Sequence, residues 1–290
     1  MTGIAERLEY MAERDPFYNY CLWEYEPVAP YVGKYRSVNL LFHSFDLLGT
    51  DGRMFELVEM IRRAVGPSLT VWGVKRSGER MAWEFYFYDY RRRERQRSIT
   101  GVTEAIAPLA RCQIPVNEDL PYFMFSIDVD DDLISRARDI SEIHMYLGNV
   151  GSTVSSGICY SLKAEGMRLE NFYFFFNPQK QLDDVMGKVC CSPFVDFTKV
   201  NIDDILWPEL VDCRTICIAN KQRNDCAYFS GINVDQLLFF LRRMAYPDGV
   251  VSFVEENKAR LDHLLYDVGV DYRMTGGEVE LLKSGYYGIF

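Results

Sequence analysis

GSTVSSGICYSLKAEGMRLENFYFFFN, residues 151–177, divides into two runs of alternating character, 156–164 and 169–176, around a turn that holds Gly166. Two such runs, rich in β-branched and aromatic residues on either side of a glycine turn, predict a β-hairpin. In the second run Phe172, Phe174 and Phe176 share one face, while Asn171, Tyr173 and Phe175 share the other. An entirely apolar face beside a partly polar one is expected of a sheet with helices on one side and a partly polar space on the other. The next segment, QLDDVMGKVCC, places Leu182, Val185, Met186 and Val189 on one helical stripe. Strand, strand, helix is therefore the unit to seek elsewhere.

It recurs on both sides. Before it, 69–76 and 81–90 flank Ser77-Gly78, and in WEFYFYDY the residues Trp83, Phe85 and Phe87 alternate with Glu84, Tyr86 and Tyr88. RRRERQR leads into a predicted helix over 99–111, with Ile99, Val102, Ile106 and Leu109 as its stripe. A second pair, 122–129 and 142–148, is joined by the acidic DDDLISRARD. After the opening hairpin come 215–221 and 226–231 with a turn at Arg223-Asn224-Asp225, then a helix carrying Val234, Leu237, Leu238 and Leu241. A longer helix is predicted over 251–268, before a last pair, 270–274 and 279–287, across Gly276-Gly277. Towards the amino terminus, 3–13 reads as a short amphipathic helix on Ile4, Leu8 and Met11, and 40–48 fits strand or helix equally. The segment FYNYCLWEYEPVAPYVGKY has no clean period, whereas 53–65, stopped by Gly66-Pro67, is a helix with Asp51 as its cap. Five strand pairs with helices on one side must curl to bury their outer face, and closure removes the edges. The expectation is an α+β fold: a ten-stranded antiparallel β-barrel of hairpin–helix units, helices outside, with a lumen too wide for side chains alone to fill. Residues 1–290 form one domain on this reading, with 1–50 packed on the barrel.

Composition narrows the function. At 290 residues the chain is long enough for a sizeable core, and 48% hydrophobic with 26% charged residues is an ordinary soluble balance. A net charge of -10 argues against nucleic acid, whose binding rests on neutralising phosphates. The charged start, MTGIAERLEYMAERDP, has no apolar core of a signal peptide, and no run reaches the roughly 20 apolar residues of a spanning helix. Eight cysteines under those conditions predict a reduced, cytoplasmic protein without membrane partners.

The same order of elements carries a resemblance. SLTVWGVKRSGERMAWEFYFYDY, SIDVDDDLISRARDISEIHMYLGN, ICYSLKAEGMRLENFYFFF and VDYRMTGGEVELLKSGYYGIF together resemble the ABBA-type aromatic prenyltransferases, whose fold is a ten-stranded barrel ringed by helices (the PT barrel). Their layout is most similar to the cyanobactin-type enzymes that prenylate peptides. The likeness lies in element order, spacing and aromatic alternation from about residue 68 onward. It implies metal-independent transfer of a prenyl group from a prenyl diphosphate to an aromatic small molecule or peptide, with no cofactor. The chain departs from the peptide branch at two places. Thr70 or Val71 stands where that branch has a carboxylate, and EIHMYLG offers only His144 and Tyr146 where it has basic residues.

What the resemblance requires can be sought among the residues present. Fixed cations stabilise a departing diphosphate, and π faces stabilise an allyl cation while excluding water. Lys75, Lys163, Lys221, Arg273 and Lys283 fall on strand positions suited to the diphosphate; the competing reading is strand-end cations that snorkel to water. Tyr86, Tyr88, Tyr146, Tyr160, Tyr173, Tyr228 and Tyr286 are the aromatic shield, or else ordinary half-buried sheet tyrosines. Glu84, set among large aromatics, or His144 would manage the acceptor proton; alternatively Glu84 pairs with Lys75 across the hairpin. Asp128, Asp130, Asp131 and Asp132 lack the helical spacing that presents several carboxylates to one metal, so they read as a solvated acidic loop and no metal is expected. Cys213, Cys217 and Cys226 read as buried strand cysteines rather than zinc ligands. Two other readings stay open: a non-catalytic barrel for a hydrophobic or peptidic ligand, and a barrel enzyme of different chemistry.

Overall fold

The computed structural model describes residues 7–19, 22–149 and 155–290. In chain order the elements are α1 (Val38–Leu48), α2 (Arg53–Val65), β1 (Thr70–Ser77), β2 (Arg80–Tyr88), α3 (Ile99–Ile106), β3 (Met124–Val129), α4 (Asp131–Ser135), β4 (Ile143–Gly148), β5 (Ser156–Lys163) and β6 (Gly166–Phe176). They continue with α5 (Pro178–Cys190), α6 (Pro208–Val211), β7 (Thr215–Asn220), β8 (Asp225–Ile232), α7 (Val234–Arg243), α8 (Asp248–Glu256), α9 (Lys258–Leu261), β9 (Tyr266–Thr275) and β10 (Glu278–Ile289).

Each strand pairs antiparallel with its sequence neighbours, and β1 pairs with β10 from Val71↔Ile289 to Arg76↔Ser284. The ten strands thus form a closed barrel. The sheet has no free edge to protect. Period-2 alternation divides its side chains between two cores. Trp72, Val74, Trp83, Phe85, Phe87, Phe125 and Ile127 point outward and meet the buried stripes of the helices, among them Met54, Leu57, Val58 and Ile61 of α2 and Leu237, Leu238 and Leu241 of α7. Val71, Tyr86, Tyr88, Met124, Tyr146, Cys159, Tyr173, Cys217, Cys226 and Tyr287 form a second cluster inside. Aromatic residues on both faces of β2 are buried because both faces have something to cover them. The indole N–H of Trp83 donates to Ser44 Oγ of α1 at 2.8 Å, so even the outer core is cross-tied.

The opening hairpin behaves as its alternation requires. Phe176 is buried in the outer core and Phe174 packs against it, with Lys188 of α5 lying 4.0 Å over the Phe174 ring. Phe172 lies on the same face but stays 39% exposed.

Three expectations are corrected and one open reading is resolved. Residues 7–13 contain no helix: Tyr10 bridges Tyr35, and the Met11 amide donates to the Lys34 carbonyl, so this backbone pairs with 33–36 instead; Ile4 lies outside the described residues. The segment 40–48, which fitted either state, is helix α1. The helix expected over 99–111 ends at Ile106, just before Pro108, whose ring and missing amide cannot continue it. The helix expected over 251–268 is α8 and α9 only. From Tyr266 the chain alternates Asp267, Gly269 and Asp271 with Val268, Val270 and Tyr272, and it joins the barrel as β9.

No helix among the described residues is long and apolar enough to cross a membrane.

Candidate functional site in the barrel lumen

Odd-numbered strands finish, and even-numbered strands start, at one end of the barrel. That geometry brings together inward residues from distant parts of the chain. Lys75 lies near the end of β1, Asp128 near the end of β3, Lys221 just after β7 and Asp271 on β9; Glu84, His144, Asn171, Cys226 and Lys283 come from the returning strands. They line a cavity of about 90 Å³, room for a handful of waters.

Charge in this lower chamber is arranged as two clusters and one lone cation. The Lys75 ammonium contacts the Glu84 carboxylate and Asp128 Oδ1, the latter at 2.8 Å. Glu84 is only 2% exposed and also accepts hydrogen bonds from Tyr86 Oη and Ser126 Oγ, each at 2.5 Å. Burial lowers the pKa of Lys75 to about 8, against the pull of Asp128. For Asp128, burial opposes ionisation, but Lys75, Lys283 and His144 outweigh it and hold the carboxyl far below its usual range. The His144 ring lies 3.9 Å from Asp128 Oδ2 and 3.7 Å from Glu142 Oε1. Its pKa is lowered chiefly by burial, with Lys75 and Lys283 adding to the effect, so the imidazole is neutral at pH 7. In the second cluster Lys221 Nζ lies 2.7 Å from Asp271 Oδ1. Burial works against both charges there. Even so, Cys226 and Asp271 raise the lysine, and Lys221 lowers the aspartate. Lys283 lines the same chamber, and no ion pair engages it among the described residues.

Above this chamber five tyrosines run round the lumen. Ring centroids are 5.9 Å apart for Tyr86–Tyr287, 6.4 Å for Tyr287–Tyr228, 6.3 Å for Tyr228–Tyr173 and 5.8 Å for Tyr173–Tyr146. Ser126 closes the circuit, with its Oγ 3.4 Å from Tyr146 Oη while it donates to the same Glu84 that Tyr86 holds. Burial raises the Tyr173 and Tyr228 phenols well above 10, so they stay protonated. The wall is cut away behind the rings: a Cβ on Gly73 would lie 2.6 Å from Tyr287, and one on Gly269 would lie 2.4 Å from Tyr228. Only glycine lets the rings lie back against the strands.

Beyond the girdle lies a second compartment of about 570 Å³, lined by Trp23, Tyr90, Phe123, Phe175, Tyr228 and the buried Asp267, among others. Tyr228 lines both compartments.

Of the sequence-derived candidates, Lys75, Lys221, Lys283, Glu84, His144, Tyr86, Tyr146, Tyr173 and Tyr228 meet in the lumen. Tyr88 is buried in the inner cluster, away from the lower chamber. Four do not join them. The Lys163 side chain is 46% exposed and pairs with Glu142 at 3.3 Å; the Arg273 side chain is 43% exposed and bonds Glu280 at 2.9 Å. Both are strand-end cations that reach water, the competing reading for these positions. Tyr160 packs against the outer core, and Tyr286 is buried in it beside Tyr246 and Trp72. Each stands three positions from a lysine read as facing inward, Lys163 and Lys283, and a two-residue period puts such pairs on opposite faces.

Asp128 lies on β3 rather than in the expected loop and pairs with Lys75 while its side chain stays 46% exposed, whereas Asp130 caps α4 through the Leu133 amide and Asp131 accepts from the Asp51 amide. Ligand atoms of Glu84, Asp128 and His144 lie within 4.8 Å of one another. This is a donor set a cation would fit, but Lys75 contacts both carboxylates and supplies the positive charge itself. Cys159, Cys217 and Cys226 lie in the inner wall as thiols outside any disulfide. Sequence reasoning missed Tyr287, Asp267 and Asp271. The alternation from 266 would have exposed Asp267, had it not been assigned to a helix, whereas Asp271 lay in the strand expected over 270–274 and was passed over there. No protein-family model and no curated protein matches the chain.

Proposed function

We propose that the barrel transfers a prenyl group from a prenyl diphosphate to an aromatic or peptide acceptor. The observation that carries this reading is a run of five tyrosines, its circuit closed by Ser126, set over a lysine-bearing chamber inside one closed lumen. The two halves suit the two halves of an ionising allylic diphosphate. As the carbon–oxygen bond breaks, charge grows on the diphosphate, where Lys283, Lys221 and Lys75 present N–H donors in a water-poor space. The allyl fragment left behind meets π faces, which stabilise positive charge and shut out the water that would quench it. Neutral His144 adds a hydrogen bond without adding charge.

Calorimetry with the thiolo analogues of dimethylallyl and geranyl diphosphate tests the reading. Wild type is expected to bind at least one. Lys283→Ala and Lys221→Ala should each weaken transfer by about 2–4 kcal/mol in the transition state, the cost of losing one fixed donor to developing charge. Lys163→Ala should leave binding unchanged, because Lys163 stands outside the chamber. If wild type binds neither analogue, prenyl transfer is wrong.

One observation favours a second reading, a barrel that holds an apolar or peptidic ligand without chemistry. Lys75 and Lys221 are already matched by Glu84, Asp128 and Asp271, so the lower chamber can persist as an internal salt-bridge plug. Affinity for apolar ligands combined with indifference to diphosphate would select that reading.

A further inference from the structure

We propose that the acceptor occupies the upper compartment as an aromatic ring bearing an N–H or O–H group, and that Asp267 receives its proton. This rests on the prenyl-transfer reading and names the acceptor's side of it.

The lower chamber has no free base to offer. Glu84 is held by Lys75, Tyr86 and Ser126, and His144 lies between two carboxylates on the diphosphate side of the girdle. The upper compartment has the size and aromatic walls of a small-molecule site. Glu24 also lines it but lies exposed at its rim, whereas Asp267 is buried at 6% exposure. The Gly231 amide donates to Asp267 Oδ1 at 2.9 Å, fixing the carboxyl to the wall. No ion pair engages Asp267 among the described residues, unlike the carboxylates below.

The neighbours leave its proton exchange free. Tyr287 is its cross-strand partner on β10, Ser230 and Tyr228 face it from β8, and Tyr25 packs from the amino-terminal segment. Burial raises the Tyr25 and Tyr228 phenols and the nearby Cys213 thiol, so none of these carries charge at neutral pH. Arg214 is the charged side chain beside Tyr25, and Arg92 lines the far rim. With burial dominant, the Asp267 pKa rises to about 7, where a carboxylate both accepts and returns a proton readily.

The step balances. A bond forms between the acceptor atom and the allylic carbon, and the carbon–oxygen bond breaks with its electron pair going to the diphosphate below. The acceptor's proton passes to the Asp267 carboxylate above. Tyr228, which lines both compartments, marks where the two reactants meet.

Indole and 1-methylindole serve as probes, with dimethylallyl diphosphate as donor. Wild type at pH 8 should bind indole at least about tenfold more tightly than its methylated counterpart, which lacks the N–H. It should also form prenylated indole with kcat/KM rising to a plateau through a half-point near pH 7. Asp267→Asn should lose the binding preference and the pH limb, with turnover down at least about 100-fold. Its affinity for the thiolo donor analogue and its thermal unfolding serve as controls for the lower chamber and the fold. Equal binding of the two indoles, no prenylated indole from wild type, or an Asn variant with unchanged rate and pH profile would each overturn the proposal while donor binding still stands. Absence of donor binding in wild type would instead overturn prenyl transfer, and the role of Asp267 with it.

Discussion

Lys75 shows how one side chain decides the chemistry of its surroundings. Its ammonium joins the buried Glu84 to Asp128, whose side chain is 46% exposed, and helps hold the Asp128 carboxyl below its usual range. Lys75→Ala should therefore cost about 3–5 kcal/mol at pH 7, the usual penalty for orphaning a buried charge. It should also open a carboxylate–carboxylate–imidazole set to a divalent ion. The expected result is a variant whose melting temperature rises with Mn²⁺ or Zn²⁺ and falls again with EDTA, while wild type responds to neither; a variant indifferent to metal would mean that the three groups relax apart. Much of this cluster can be read from the sequence. Alternation alone puts Glu84 and Lys75 on inward positions of one hairpin. Alternation cannot say where the mouth lies, and so Lys163 and Arg273, correctly phased or nearly so, end in water.

At the level of the strand pair, the lumen is shaped by what is missing. Gly73 and Gly269 sit opposite Tyr287 and Tyr228 on neighbouring strands, and the rings fill the space a side chain would take. Gly269→Ala should push the Tyr228 ring into the lumen, at a cost of about 1–3 kcal/mol for overpacking. Combining it with Tyr228→Ala should recover part of that loss, a coupling of at least about 0.5 kcal/mol between residues in contact. Additive losses in the unfolding of the two single variants and the double variant would show that the ring escapes elsewhere. Elements with a strong period, such as β2, β6, α2 and α7, are legible from sequence because the periodic face is the buried face. Two stretches mislead for a physical reason. Residues 251–268 are apolar enough for either state, and the switch from helix to strand falls where Asn257 and Asp262 end short helices. Residues 7–13 carry a helical stripe, yet their amides find partners in another segment.

For the molecule as a whole, carboxylates shifted in opposite directions shape how stability varies with pH. Asp128 and Asp271 titrate below their unfolded value, so their contribution is present above about pH 4 and is lost as pH falls below it. Asp267 does the reverse. Its folded pKa, about 7, lies above the unfolded 3.8, so the stability it contributes is full below about pH 4 and lost as pH rises through 7. Asp267→Asn should gain on wild type between those limits and level off beyond them, by on the order of 4 kcal/mol in chemical unfolding at pH 8. A constant difference across that range would show that the carboxyl ionises freely in the folded protein. Closure has a further consequence, which belongs to synthesis rather than to the finished barrel. β1 is among the first strands made, and its outer partner, β10, is the last. At about 5–20 residues per second, roughly two hundred intervening residues keep that edge waiting some 10–40 s on the ribosome. Through that interval Trp72 and its neighbours lie along an open strand able to pair with another nascent chain. The closure that leaves the mature sheet without an edge therefore makes crowded polysomes the place where this protein is most exposed to aggregation.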